Sequence, residues 1–292
     1  MTDRFLSAAL DADGTLIRDD APTALLPWWS FTKTLISACV MIRAREGFMD
    51  LDAALPGRAY SLRQLMNHTA GLRDYGTVGP YHQAVAAGED PWPVAKLLEA
   101  SRADDPLGAP GTKWSYSNIG YMFLRFALEV SEGAPLGDII HRRLIAPLAL
   151  RTPRLAMTRG DFEGLHWDAD GYHPGWVYHG CMMGSSADAA RLLHALLQGD
   201  LLTATERQQM MELSLNEKAI QGRIWQTTGY GLGLMIGHTQ AHGLAIGHAG
   251  AGPFSGNLVA HFPSSGKTVA SFAKGGDETP AEWEALRVLS DR

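Results

Sequence analysis

At 292 residues, 46% of them apolar, the chain is long enough to bury a substantial core in one large domain or two intimate lobes. A net charge of −6 with only 19% charged residues, and no block of clustered Lys and Arg, excludes an electrostatic footprint for nucleic acid. The two cysteines, Cys39 and Cys181, are too few for a disulfide scaffold and fit no zinc pattern; set among apolar neighbours, they read as buried free thiols.

The opening stretch MTDRFLSAALDADG carries Asp3, Asp11 and Asp13 and holds no apolar run of signal-peptide length. The longest apolar run, 35–42, is broken by Ser37 and falls far short of the roughly 20 residues a spanning helix needs. The protein is therefore expected to lack a membrane span and to be cytoplasmic, or periplasmic or secreted where a leader precedes it. Residues 4–18 read as a hairpin, FLSAAL and TLI around a turn at Asp11 to Gly14. The pattern over 30–46 is helical, with Arg43 and Arg45 in the last turn and Gly47 as the natural cap. SLRQLMNHTAGL (61–72) opens with a capping box, Ser61 and Gln64, and is expected to stop at Gly71. Apolar side chains at 119, 122, 123, 126, 127 and 130 mark one face of a helix over 117–130, and another helix is expected at 186–198.

After about residue 229 the texture changes. GYGLGLMIG, GLAIGHAG, GNLVAHF and KTVASFA are short apolar runs separated by Gly, Pro and Ser turns, the signature of antiparallel strands. TPAEWEALRVLSD closes the chain as a helix with Thr279 as cap and Pro280 at its first position. Strands at both ends and helices in the middle predict a mixed α+β fold. A mainly antiparallel sheet is built from both chain ends and flanked by helices, with a mostly helical lobe inserted. The expected division is 1–27 plus 225–292 for the sheet lobe and 28–224 for the helical lobe, with the active site in the cleft between them.

Ser-x-x-Lys occurs three times, at Ser30/Lys33, Ser264/Lys267 and Ser271/Lys274. Ser264 falls in a hairpin turn. Ser271 and Lys274 fall on a strand, where positions i and i+3 face opposite ways. Only Ser30 and Lys33 share a helix face, at the end where free N–H groups and the positive macrodipole favour an oxyanion and disfavour an ammonium. Burial behind Trp28 and Trp29 would push Lys33 further toward neutrality, so that it could take a proton from Ser30. Taken alone, the match is better read as Ser30 capping a helix and Lys33 facing solvent.

Two further segments change that balance. GTKWSYSNIGY sets Tyr116 and Asn118 at a loop-to-helix junction, where side chains are presented to clefts; alone, Asn118 could be a cap and Tyr116 packing. IGHAGAGPFSG sets His248, Ala249 and Gly250 on a strand breaking into a glycine-rich turn, where a ligand can approach the backbone. In this order the three segments resemble the serine β-lactamase and penicillin-binding-protein superfamily, in particular the class C β-lactamase-like branch with its esterases and D-amino-acid peptidases. LRQLMNHTAGL, APLALRT, GWVYHGCMMGSSADAARLLHALLQGDLL and YGLGLMIG extend the likeness over nearly the whole chain.

The resemblance implies a β-lactamase/transpeptidase-like fold and a serine hydrolase working through an acyl-enzyme on a small ester or amide. It implies Ser30 as nucleophile, with Lys33 and Tyr116 sharing the proton work. Whether neutral Lys33 or a Tyr116 phenolate is the base stays open at this level. Asn118 would hydrogen-bond Lys33 and the substrate, and the backbone N–H groups of Ser30 and Ala251 would form the oxyanion hole. His248, Ala249, Gly250 and Trp29 would contact substrate, and no metal or organic cofactor is required. Trp28, Trp29, Tyr75, Tyr81, Trp114, Trp176 and Tyr178 are candidates to line an apolar acyl pocket.

Where β-lactamases of this branch usually carry Lys-Thr-Gly, this chain has no permanent cation at His248 and no hydroxyl at Ala249. Losing a hydrogen bond to a charged group, about 1.5–3 kcal/mol, weakens carboxylate recognition at least tenfold. An esterase or related amide hydrolase with weak β-lactamase activity is therefore expected, the alternatives being a D-amino-acid peptidase or amidase, or a β-lactamase. Fewer than the family's usual residues precede Lys33, so part of the first sheet layer is expected to be missing or rearranged. A metal hydrolase built on His238, His242 and His248 lacks a His-Glu-x-x-His and a carboxylate at ligand spacing. GLGLMIG and GHAGAGPFSG do not match the Gly-x-Gly-x-x-Gly of a nucleotide-binding module. A catalytically silent penicillin-binding-like sensor is the non-enzymatic alternative, opposed by the intact Ser, Lys, Tyr and Asn.

Overall fold

The computed structural model describes residues 4–291. The first apolar run forms β1 (Phe5–Leu10), turning at Gly14 into β2 (Leu16–Asp19). A two-residue strand, β3 (Leu26–Pro27), leads through one 3-10 turn into α1 (Thr32–Arg45), whose residues from Thr32 to Ile42 are all buried. A helix buried on every side belongs at the centre of a domain. Around it lie α2 (Leu62–Met66), α3 (Gly79–Ala86), α4 (Val94–Ala100), α5 (Asn118–Glu132) and α6 (Leu136–Ile140). Then follow β4 (Arg154–Ala156), β5 (Cys181–Gly184), α7 (Ser186–Gln198) and α8 (Ala204–Met211). The chain closes with β6 (Leu215–Lys218), β7 (Thr227–Tyr230), β8 (Met235–Thr239), β9 (Gly243–Ala251), β10 (Ser255–Phe262), β11 (Lys267–Lys274) and α9 (Thr279–Ser290).

The main sheet is antiparallel, in the order β2-β1-β11-β10-β9-β8-β7-β6, with Phe5 opposite Ala273 and Leu10 opposite Thr268. Both chain ends thus meet in one sheet, as the strand placement in the sequence predicts. Period-2 alternation sends Leu6, Leu10, Ala270 and Phe272 into the large core shared with α7 and the inserted helices. Ala9, Leu258, Ala260, Phe262 and Val269 point the other way, against Ala285, Leu286, Val288 and Leu289 of α9. The first sheet layer is accordingly in place: β1 and β2 pair with each other, and β1 is covered on both sides. The sheet also reaches back to Leu215, before the expected boundary at 225, and α7 packs on its face.

Three local readings need correction. The capping box on Ser61 and Gln64 is present, but α2 ends at Met66 because His68 turns left-handed at φ +62°; Gly71 lies beyond it, in a loop that closes against the Gly108 backbone. On α5 the buried stripe runs through Ile119, Tyr121, Met122, Leu124 and Leu128, while Val130 is exposed. Tyr121 is drawn inward because its hydroxyl donates to the Met66 carbonyl at 2.6 Å, a partner that helical periodicity does not show. In α9 the cap position falls on Glu278, one residue before Thr279, without a capping bond from its side chain. Among the described residues, no helix is long and apolar enough to cross a membrane.

Candidate active site

Ser30 lies in the 3-10 turn Trp29–Phe31 that introduces α1. The turn is clamped to β5: Trp28 N donates to Met182 O at 2.7 Å, and Met182 N donates to Thr32 Oγ1 at 3.0 Å. Trp29 takes φ +44°, a conformation a bulky residue holds only under constraint. Its indole N–H donates to Ser255 Oγ at 3.0 Å, and its ring meets Phe162, Tyr172 and Phe254 edge-on. The end of β9 runs directly against this turn. A Cβ on Gly250 would stand 2.7 Å from Ser30 N and 2.9 Å from Trp29 Cβ, so glycine is needed there for close approach.

Lys33, one turn along, is wholly buried. Its Nζ stands 3.0 Å from Ser30 Oγ, 2.7 Å from Asn118 Oδ1 and 3.1 Å from His179 Nε2. The Tyr116 hydroxyl donates to Ser30 Oγ at 3.1 Å. Asn118 is oriented by Asp74, which accepts from its backbone N at 2.9 Å and from its Nδ2 at 3.2 Å. The loop carrying Tyr116 and Ser117 is pinned by Ser117 N donating to His68 Nδ1 at 3.1 Å, and the His68 ring lies over Tyr116 at 4.3 Å.

Burial dominates the electrostatics. It pulls the Lys33 amine down to about 7, against the raising pull of the Asp74 carboxylate. It raises Asp74 itself, opposed by the hydrogen bond from the Asn118 backbone. Burial drives the Tyr116 phenol far above its ordinary value, the Ser30 hydrogen bond opposing only in part. His68 and His179 are pushed well below the ordinary imidazole value by burial and by Lys33, and His248 falls to about 3 for the same two reasons.

Lys33 and Tyr116 therefore converge on the Ser30 hydroxyl, with Asn118 holding Lys33 and Gly250 beside Ser30. Ser30, Asn118, Trp29 and Ala251 border a cavity of about 610 Å³. Two expected substrate contacts are displaced. The His248 ring is buried and hydrogen-bonded to the Tyr230 hydroxyl at 2.9 Å, outside the cavity wall. Ala249 points to the opposite face of β9, into the core under α9, because neighbouring residues of a strand alternate sides. Of the expected aromatic wall, Trp29, Tyr75, Tyr81 and Trp176 line the cavity. Trp28 is instead sealed in the core, Trp114 packs behind Tyr116 and Tyr230, and the Tyr178 hydroxyl is occupied by the Trp92 carbonyl at 2.8 Å.

Sequence reasoning missed Asp74, His179 and His68, as well as the Phe162, Tyr172 and Phe254 rings around Trp29. The signals for the first two are slight: an acid beside an arginine in LRDYG, and a lone imidazole in the apolar and glycine-rich stretch VYHGCMMG.

An antiparallel sheet joined from both chain ends, helices on both its faces, and a serine heading the buried central helix define the β-lactamase/transpeptidase-like class of fold. A D-amino acid amidase from Ochrobactrum anthropi SV3 superposes with a TM-score of 0.80 at 21% identity, over 98% of this chain and 94% of that one. Penicillin-binding protein 4* of Bacillus subtilis is 26% identical over 161 residues, 51% of this chain and 34% of that protein. A D-aminopeptidase of Cereibacter sphaeroides is 30% identical over 117 residues, 39% of this chain and 21% of that protein. The matches thus span 34% and 21% of these curated relatives. Residues 20–290 match the family model described as Beta-lactamase, and the chain belongs to that family.

Proposed function

We propose that the protein is a serine hydrolase that cleaves small esters or amides through an acyl-enzyme on Ser30, in a cleft between the sheet lobe and the helical lobe. The observation that carries this reading is the convergence of an amine and a phenol on one hydroxyl, 3.0 and 3.1 Å away. Lys33 is the base: a buried amine drawn to about 7 is substantially neutral at physiological pH, whereas a phenol pushed upward by burial is a proton donor. Neutral Lys33 takes the Ser30 proton as Oγ attacks the carbonyl, and the oxyanion is held by the N–H groups of Ser30 and Ala251. Tyr116 delivers a proton to the leaving group and is reprotonated by the proton that Lys33 took from Ser30, which leaves Lys33 neutral again. Water then repeats the sequence on the acyl-enzyme, restoring Ser30.

The cavity favours acyl groups that are apolar and not anionic. Trp29, Tyr75, Tyr81, Tyr172 and Trp176 form its walls, the acidic side chains on its border are Glu89 and Asp170, and none of its lining residues is Lys or Arg. This supports weak recognition of carboxylate-bearing β-lactams. It also supports a second reading, hydrolysis of D-amino-acid amides or peptides bearing a free ammonium, in line with the D-aminopeptidase and D-amino acid amidase relatives. A fluorophosphonate followed by intact mass is expected to add once to the native protein and not to Ser30→Ala. An unlabelled native protein would favour a silent binding role instead. Relative kcat/KM for p-nitrophenyl butyrate, a D-amino-acid p-nitroanilide and nitrocefin then separates esterase, amidase and lactamase; nitrocefin turned over as fast as the butyrate ester defeats the specificity argument.

A further inference from the structure

We infer that His179 is a positioning residue for Lys33: its imidazole completes the hydrogen-bond set that keeps the neutral amine aimed at Ser30. The inference rests on the hydrolase reading above. A neutral amine has two N–H donors and one lone pair. In that neutral form the lone pair has to face the Ser30 hydroxyl, 3.0 Å away, and Asn118 Oδ1, which can only accept, takes one N–H at 2.7 Å. The second N–H needs an acceptor, and Nε2 of His179 stands there at 3.1 Å. Without it the amine would be free to rotate its lone pair away from Oγ.

The cost of placing an imidazole here argues that the contact matters. With Nε2 accepting, the His179 proton lies on Nδ1, and that atom is buried with no hydrogen-bond partner among the described residues. A buried polar atom left unpaired costs about 1–3 kcal/mol, and an apolar side chain would avoid it. The imidazole is also kept neutral by its surroundings. It faces Lys33 on α1, Arg125 on α5, His68 beyond α2 and His248 on β9, and the Asp74 carboxylate lies behind Asn118. A charged imidazole would set a second cation 3.1 Å from the amine.

Fluorophosphonate labelling of Ser30, followed by intact mass across pH, reads nucleophile activation without the natural substrate. A glutamine amide reaches the place of Nε2, whereas an asparagine amide reaches only that of Nδ1. His179→Gln is expected to label within about threefold of the native rate, and His179→Asn at least tenfold slower. His179→Phe, which keeps water out but accepts nothing, is expected to be at least tenfold slower, with its acid limb moved to lower pH because the ammonium has lost one of its acceptors. With a chromogenic ester the loss falls on kcat, and KM stays within about twofold. Equal labelling of the Gln and Asn variants, both checked as folded by their melting curves, overturns the inference, as does a Phe variant whose limb has not moved. Failure of the native protein to label overturns the hydrolase reading instead.

Discussion

Replacing Asp74 by asparagine removes one buried charge from beneath the site while preserving the size of the side chain. Asn118 bridges that charge to the base, 2.7 Å from Lys33 Nζ on one side and 3.2 Å from Asp74 Oδ2 on the other. With the amide between them the charges lie roughly 7 Å apart, an interaction of about 2.4 kcal/mol at an effective dielectric of about 20, or about 1.7 pH units. The sign follows from which state the carboxylate favours. Asp74 stabilises the Lys33 ammonium, so its removal makes the amine easier to deprotonate, and the active neutral form persists to lower pH. The native profile of kcat/KM should rise through a limb near pH 7 and level off above it. Burial holds the His68, His179 and His248 imidazoles below their ordinary value, so the limb is expected to be that of Lys33. In Asp74→Asn the limb should fall by one to two pH units, with a lower plateau because Asn118 loses its anchor. The assay is p-nitrophenyl ester hydrolysis from pH 4.5 to 9 at fixed ionic strength. A limb that stays in place, or climbs, refutes the coupling of Asp74 to Lys33 and the role of Lys33 as base.

Other outcomes follow from the same geometry. Tyr116→Phe should cost about 10²–10⁴ in kcat while the acid limb stays near pH 7, measured on the same ester; a vanished limb would make the phenol the base. Gly250→Ala places a methyl 2.7 Å from Ser30 N, and overpacking of this kind costs about 1–3 kcal/mol, read as a lowered melting temperature together with slower labelling. The double variant Glu89→Gln, Asp170→Asn removes the cavity's border carboxylates, so the preference for a cationic ester over its neutral isostere should shrink several-fold; an unchanged ratio would refute that source of selectivity.

Much of the architecture was legible because local chemistry decides it. Capping at Ser61, the helix at 186–198 and the glycine-separated strands after 229 depend on neighbours within a few residues, and they stand where the pattern puts them. The buried face of α5 was misjudged because its tyrosine answers to a carbonyl 55 positions away. The Ser30/Lys33 pair could be chosen from three matches because only a helix carries positions i and i+3 on one face, and a strand or turn does not.

By itself, then, the amino-acid sequence determined the strands at both chain ends that share one sheet, several of the helices between them, and the residues expected to meet at Ser30. The tertiary structure decided what surrounds them. It turned His248 onto Tyr230 and Ala249 under α9, and it brought Asp74 and His179 to the amine from segments 41 and 146 positions away. The physical reason is that desolvation and hydrogen-bond partnership belong to a packed volume: no residue carries them along the chain, and they come into being only when distant segments exclude water together.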